Sequence, residues 1–265
     1  MAARDGWLSG RTPFVLLGTV LFAYVCYPFV AFVWQLDSFD SAVATDSATL
    51  SAVRYSLTTA PVATALATVF GVPLAYVLAR SSFRGKSIVE ALVIVPLVLP
   101  PVVAGLLLLT GFGSLTPVGS LARSVGVNLT DSYVGIVLAQ TFVASPFVVV
   151  TSRSGFAGVD DQLEEAARSL GSDPVATFWN VSLPLARNSI LAGVVLTFAR
   201  AVGEFGATMM VSYHPHTMPV QIWVAFGSRG LDATVPLVLL LALIGFAVVF
   251  ALHALGRTPT LNATH

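Results

Sequence analysis

The chain has 265 residues, of which 56% are hydrophobic and only 10% charged, with a formal net charge of +0 and a mean hydropathy of +0.86. A soluble domain carries about 25% charged residues, so this chain cannot cover a core with polar surface. Nor does it hold the clustered basic face that a nucleic-acid partner requires. A bilayer core about 30 Å thick needs roughly 20 apolar residues of helix. In chain order, Phe14–Trp34, Leu50–Ala79, Ile88–Phe112, Val134–Ser152, Ser189–Val211 and Leu231–Leu255 meet that need, giving six predicted spans and an all-α, multi-pass membrane protein.

Arg4 and Arg11 precede the first stretch, so a secretory signal is the competing reading of it. The stretch is longer than an h-region of about 7–15 residues and reaches Trp34 without a small-residue cleavage site, which predicts a retained anchor. Cys26 lies inside it as the single cysteine and is expected to be a small buried apolar residue. Cations collect around Arg4 and Arg11, then Arg80, Arg84 and Lys86, then Arg153, Arg168 and Arg187, and finally Arg257. The positive-inside rule therefore predicts both termini in the cytoplasm of a cell-membrane protein.

The segment between the fourth and fifth spans is too long for a simple turn. Asp161 followed by Glu164 has the form of a capping box, and Leu163, Ala166, Ala167 and Leu170 recur at helical spacing. Gly171 supplies a stop, and Asp173-Pro174 restarts a helix with an acid at the N-cap and proline in the first turn. Val175, Phe178 and Trp179 are expected to share the next face, and Leu183-Pro184 to end it. An interfacial amphipathic helix would show similar periodicity.

The order of residues is more specific: Glu165-Ala166-Ala167, three residues, Gly171, nine residues, Val181, one residue, Leu183-Pro184. It resembles the EAA loop of the membrane subunits of bacterial and archaeal ABC importers, with Val181 where that family often has isoleucine. The resemblance covers about Leu50 to Leu255. It implies a type I importer permease fold in which Glu165, Ala166, Ala167, Gly171, Leu183 and Pro184 form a coupling helix docked on a separate ATPase. Residues 1–49 would then be an N-terminal span and external loop, 50–255 the transport domain with its coupling loop at 160–187, and 256–265 a cytoplasmic tail. It further implies a homodimer of permease chains, two ATP-binding subunits holding the ATP and magnesium, an extracytoplasmic binding protein, and no cofactor on this chain.

Gly85-Lys86-Ser87 has the ending of a phosphate-binding loop, but Arg80 stands where that motif needs its first glycine, and a membrane helix replaces the preceding strand. His214, His216, His253 and His265 lack metal-ligand spacing on one helical face. The pair flanking Pro215 reads as a metal site or, more simply, a polar turn. Asn128-Leu129-Thr130 is a glycosylation sequon in a predicted external loop. No catalytic constellation emerges.

Charges within a span are costly and face a partner, the bundle interior or water. Arg200 and Glu204, four apart in the fifth span, are expected on one helical face, either as a pair that merely lowers the cost of burial or as part of the cargo path. The run from Ala199 to Ala207 resembles the fifth-span signature of permeases for tetrahedral oxyanions. Tyr213-His214-Pro215 and Gly230-Leu231 resemble archaeal molybdate/tungstate permeases. The implied cargo is molybdate or tungstate, with sulfate as the alternative, along a path including Arg200, Glu204, Phe205, Gly206 and Pro100. Pro61, Pro73, Pro96, Pro100, Pro101 and Pro146 give the spans places to bend, and Gly105 and Gly206 allow close packing, so the third and fifth spans are expected to move together. An ion-driven secondary transporter or channel, its Arg200–Glu204 pair sensing protons, is the reading from another class. It has no inverted repeat to support it.

Overall fold

A computed structural model describes residues 12–256, so Arg4, Arg11, Arg257, His265 and the tail lie outside the described residues. The described chain is helical from end to end: α1 (Thr12–Trp34), α2 (Ser47–Arg80), α3 (Lys86–Val98), α4 (Pro101–Phe112), α5 (Pro117–Ser124), α6 (Tyr133–Ala157), α7 (Asp161–Ser169), α8 (Leu183–Val202), α9 (Gly206–Val211), α10 (Met218–Arg229) and α11 (Val235–Gly256).

The expected third and fifth spans are each broken. Proline drives the preceding residue into extended backbone, and the consecutive Pro100 and Pro101 do so twice, leaving Leu99 at ψ 134° and Pro100 at ψ 136° between α3 and α4. Pro61, Pro73 and Pro146, by contrast, sit inside uninterrupted helices. The second break falls at Gly203-Glu204-Phe205, between α8 and α9. Among the described residues 4 helices are singly long and apolar enough to cross a bilayer, or 5 with the bent pair α4 and α5 counted as one, and the expected third and fifth spans are not continuous helices.

The core is built on α6, which packs along both α2 and α8. Small residues make this possible. A Cβ added at Gly71 of α2 would lie 3.0 Å from Val148 and Val149, and one at Gly155 of α6 would lie 2.5 Å from Ser189 of α8. Ala60, Ala63, Ala67 and Ala75 line the buried side of α2, whereas Phe70 is 71% exposed. This inversion suits a lipid solvent, in which helices associate through close packing rather than through burial of large apolar side chains. None of the span assigned to α1 is buried against the rest of the described chain, and Cys26 is half-buried.

At the cation-rich end, Leu78, Phe156, Val159, Ala186 and Ile190 form one cluster. Tyr76 packs edge-on against Phe156 and Phe178 at centroid distances of 5.2 and 4.9 Å. This aromatic group closes the bundle beneath α7. Gly85, at φ 89°, turns the chain into α3, and the Lys86 ammonium donates to the Ser81 carbonyl at 3.1 Å. Gly85-Lys86-Ser87 is thus a helix start.

Candidate functional site

The segment from Asp160 to Leu183 forms two short turns of helix across the cation-rich end. Asp160, not Asp161, is the N-cap of α7, its carboxylate accepting the Gln162 N–H at 2.9 Å. The expected capping box is therefore not formed. With the start one residue earlier, Glu164 lies beyond the third helical position and turns inward. It is 2% exposed, while Glu165 faces outward.

The apolar positions face outward as well. Leu163 is 49% and Leu170 89% exposed, with Ala166 exposed and Ala167 half-buried beside them. A helix that buries its glutamate and presents its leucines is held by polar contacts, and Arg80 supplies them. Its Nε donates to Glu164 Oε1 at 3.0 Å, its Nη1 meets Asp161 Oδ1 at 2.5 Å, and its Nη2 donates to the Val159 carbonyl at 2.8 Å. The Ser182 hydroxyl donates to the same Glu164 oxygen at 2.7 Å. Removing one partner from a buried ion pair costs about 3–5 kcal/mol.

Gly171 ends α7 at φ +94°, and no atom would obstruct a Cβ there, so its backbone rather than its space demands glycine. Gly171 N–H donates to Arg168 O and Ser172 N–H to Ala167 O, the paired bonds of a Schellman stop. Asp173 then accepts the Ala176 N–H at 2.8 Å with Pro174 in the first turn, as its sequence predicts. Two expectations fail beyond this point. Val175 and Trp179 face outward, 66% and 60% exposed, while Phe178 joins the aromatic group beneath, so the three do not share a face. Leu183-Pro184 does not end the helix either. A π turn over Phe178–Ser182, with Leu183 N–H reaching Phe178 O, leads directly into α8. Pro184 falls in that helix's first turn, where a missing donor costs little.

The second constellation lies where the two breaks meet. A Cβ on Gly206 would stand 2.7 Å from Pro101 Cβ, and one on Gly105 would stand 2.7 Å from Met210 Cβ and 2.9 Å from Ala207 Cα. Hence α4 and α9 touch backbone to backbone. Arg200 Nη2 and Glu204 Oε2 are 2.5 Å apart, but not on one helical face. Helix α8 stops at Val202, and Glu204, 1% exposed, stands in the break. Its other oxygen accepts the Ala207 N–H at 2.7 Å and so caps α9. Phe205 reaches Trp223 of α10 at 5.7 Å between centroids, and Pro100 is exposed.

His214 and His216 stack at 4.3 Å, with His216 Nδ1 2.8 Å from Gln221 Oε1. No group of three or more metal-ligating side chains occurs among the described residues. Sequence reasoning gave Arg80, Glu164 and Ser182 no shared site. The capping pattern assigned Glu164 to a local bond, and its true partner is 84 residues away.

An all-α bundle of apolar helices with broken spans and a surface helix after its fourth apolar stretch is the architecture of a multi-pass membrane protein. Residues 71–258 match the family described as binding-protein-dependent transport system inner membrane component. The chain is 52% identical over 246 residues to a probable molybdenum ABC transporter permease of Haloferax volcanii, covering 92% of this chain and 90% of that protein. It is 40% identical over 248 residues to a molybdate/tungstate transport system permease of Thermococcus kodakarensis, with 92% and 95% covered. A solved bacterial alginate ABC transporter, in complex with a periplasmic protein, shares the fold at a TM-score of 0.74 and 15% identity, over 96% of this chain and 95% of that one. The chain belongs to the binding-protein-dependent permease family. It is a multi-pass permease subunit of an ABC importer, not the ATP-hydrolysing chain, and the ion-driven reading falls with that assignment.

Proposed function

We propose that this permease moves molybdate or tungstate into the cell as one half of a homodimer. Two ATP-binding subunits, which hold the ATP and magnesium, dock on the two copies of α7, and an extracytoplasmic binding protein delivers the anion. The observation that carries the coupling role is the outward face of α7 and its continuation. Leu163, Ala166 and Leu170 on α7, and Val175 and Trp179 on the turn that follows it, are apolar side chains left exposed at the cation-rich end of the bundle, beside the exposed Glu165. Gly171 allows the turn between the two groups, and Leu183 and Pro184 carry the segment into α8. The cation-rich end then faces the cytoplasm, with both termini on that side.

The names of the two relatives support the cargo. The crossing of the breaks, with Pro100, Arg200, Glu204, Phe205 and Gly206, is proposed as the gated part of the path. Arg200 attracts an anion, but Glu204 at 2.5 Å offsets most of that charge. Weak attraction lets the ion pass instead of holding it, so selection falls to the binding protein. The test is ATP-driven uptake of labelled molybdate into proteoliposomes containing the assembled complex, with tungstate and sulfate as competitors. Competition by tungstate far below the sulfate concentration needed is expected. Equal competition by sulfate would overturn the cargo assignment, and uptake without ATP would overturn the mechanism.

A further inference from the structure

We propose that Arg80 is a positioning residue for transport, locking α7 to both α2 and α8 so that the three move as one body. The proposal rests on the reading of α7 as the coupling helix.

Helix α7 buries a single side chain, Glu164. None of its apolar side chains belongs to the buried core, with Leu163 49% and Leu170 89% exposed, so the polar contacts are the ones that reach into the bundle. All three nitrogens of Arg80, the last residue of the 34-residue α2, are engaged on this segment: Nε on Glu164, Nη1 on Asp161 and Nη2 on the Val159 carbonyl. Glu164 Oε1 also takes the Ser182 hydroxyl, at the π turn that opens into α8. Arg168 Nη2 stands 3.8 Å from the other Glu164 oxygen and completes the charge around it.

One buried carboxylate is thus the meeting point of α2, α7 and the start of α8. A planar guanidinium with three fixed bonds resists sliding in a way that apolar contact does not. The far end of α8 is the break that carries Glu204 and packs against α4. Displacement of α7 by a docked subunit is therefore transmitted through Arg80 and Ser182 to the crossing of the breaks, without local bending of the Asp160–Ser172 segment.

The experiment uses the full chain assembled with its ATPase subunit in proteoliposomes, and reads stimulation of ATP hydrolysis by the molybdate-loaded binding protein. R80Q and E164Q are each expected to reduce stimulation roughly tenfold, within the about 5–150-fold range of coupled sites, while the ATPase subunit still co-purifies. The R80Q/E164Q double variant keeps a neutral hydrogen-bonding pair, serves where a single variant fails to insert, and is expected to lose no more than either single change. R80K retains charge without the fork and is expected to resemble R80Q. Wild-type stimulation in R80Q, E164Q or R80K, or additive losses in the double variant, would overturn the linkage. An L170D chain distinguishes the underlying reading: if it still binds the ATPase subunit normally, the docking role of α7 fails, whereas loss of binding by L170D with normal stimulation in R80Q sinks the linkage alone.

Discussion

Two buried glutamates hold the two proposed functional regions, and they do so over different distances. Glu164 is bonded to Arg80, 84 residues away, and to Ser182, 18 residues away. Glu204 is charge-paired with Arg200, four residues before it, and accepts the Ala207 N–H, three residues after it. A carboxylate with remote partners ties separate helices together, whereas one with near partners shapes the chain locally. The first suits a segment that transmits movement, and the second suits a break that must keep a defined shape.

The largest effect that would break this comparison is expected at the remote pair. Glu164→Ala removes the acceptor shared by Arg80 Nε and the Ser182 hydroxyl and leaves Arg80, whose side chain is 14% exposed, to Asp161 and the Val159 carbonyl. A cost of up to about 3–5 kcal/mol should appear as early proteolysis between Val159 and Leu183. Equal protection of that segment in the variant would contradict it. At the crossing of the breaks, Gly206→Ala and Gly105→Ala place a Cβ 2.7 Å from Pro101 and Met210. Each is expected to cost about 1–3 kcal/mol by overpacking and to suppress uptake, read as a lowered unfolding temperature in detergent and a lower rate in vesicles.

Gly171→Ala meets no atom but must hold φ +94°, a strain of roughly 1–2 kcal/mol. It should weaken coupling and lower the transition temperature by a few degrees while leaving insertion unchanged. The smallest effect is expected for Glu204→Gln, because the amide oxygen still accepts the Ala207 N–H and the partly exposed Arg200, which would otherwise meet the amide NH2, can turn its guanidinium toward solvent. A loss of about 1 kcal/mol or less in thermal stability is expected. A collapse as large as that of Glu164→Ala would erase the distinction between the two carboxylates.

Much of this was legible in the sequence. The Gly171 stop and the Asp173-Pro174 restart depend on local residues alone and are present as read, whereas two of the six apolar stretches are helical but broken. Consecutive prolines at 100 and 101 also announce a break, since each forces its predecessor out of the helix. What stayed hidden depends on partners. Asp160, Asp161, Glu164 and Glu165 offer several helix starts, and moving the start by one residue turns each side chain about 100° around the axis, which exchanges the inward and outward acids. Nothing local tells Glu164 that Arg80 awaits it. Similarly, the four-residue spacing of Arg200 and Glu204 looks helical. It is the backbone contact of Gly206 with Pro101, made across the bundle, that accompanies the break between α8 and α9.

Co-purification of the ATPase subunit with chains carrying Leu163→Asp or Leu170→Asp, followed by ATP-driven molybdate uptake, tests the central claim most directly. Both substitutions alter only the outward face of α7, so insertion should be normal while subunit binding and uptake are lost. Normal binding and undiminished uptake in both would contradict the assignment of Asp161–Ser169 as the helix through which ATP hydrolysis drives this permease.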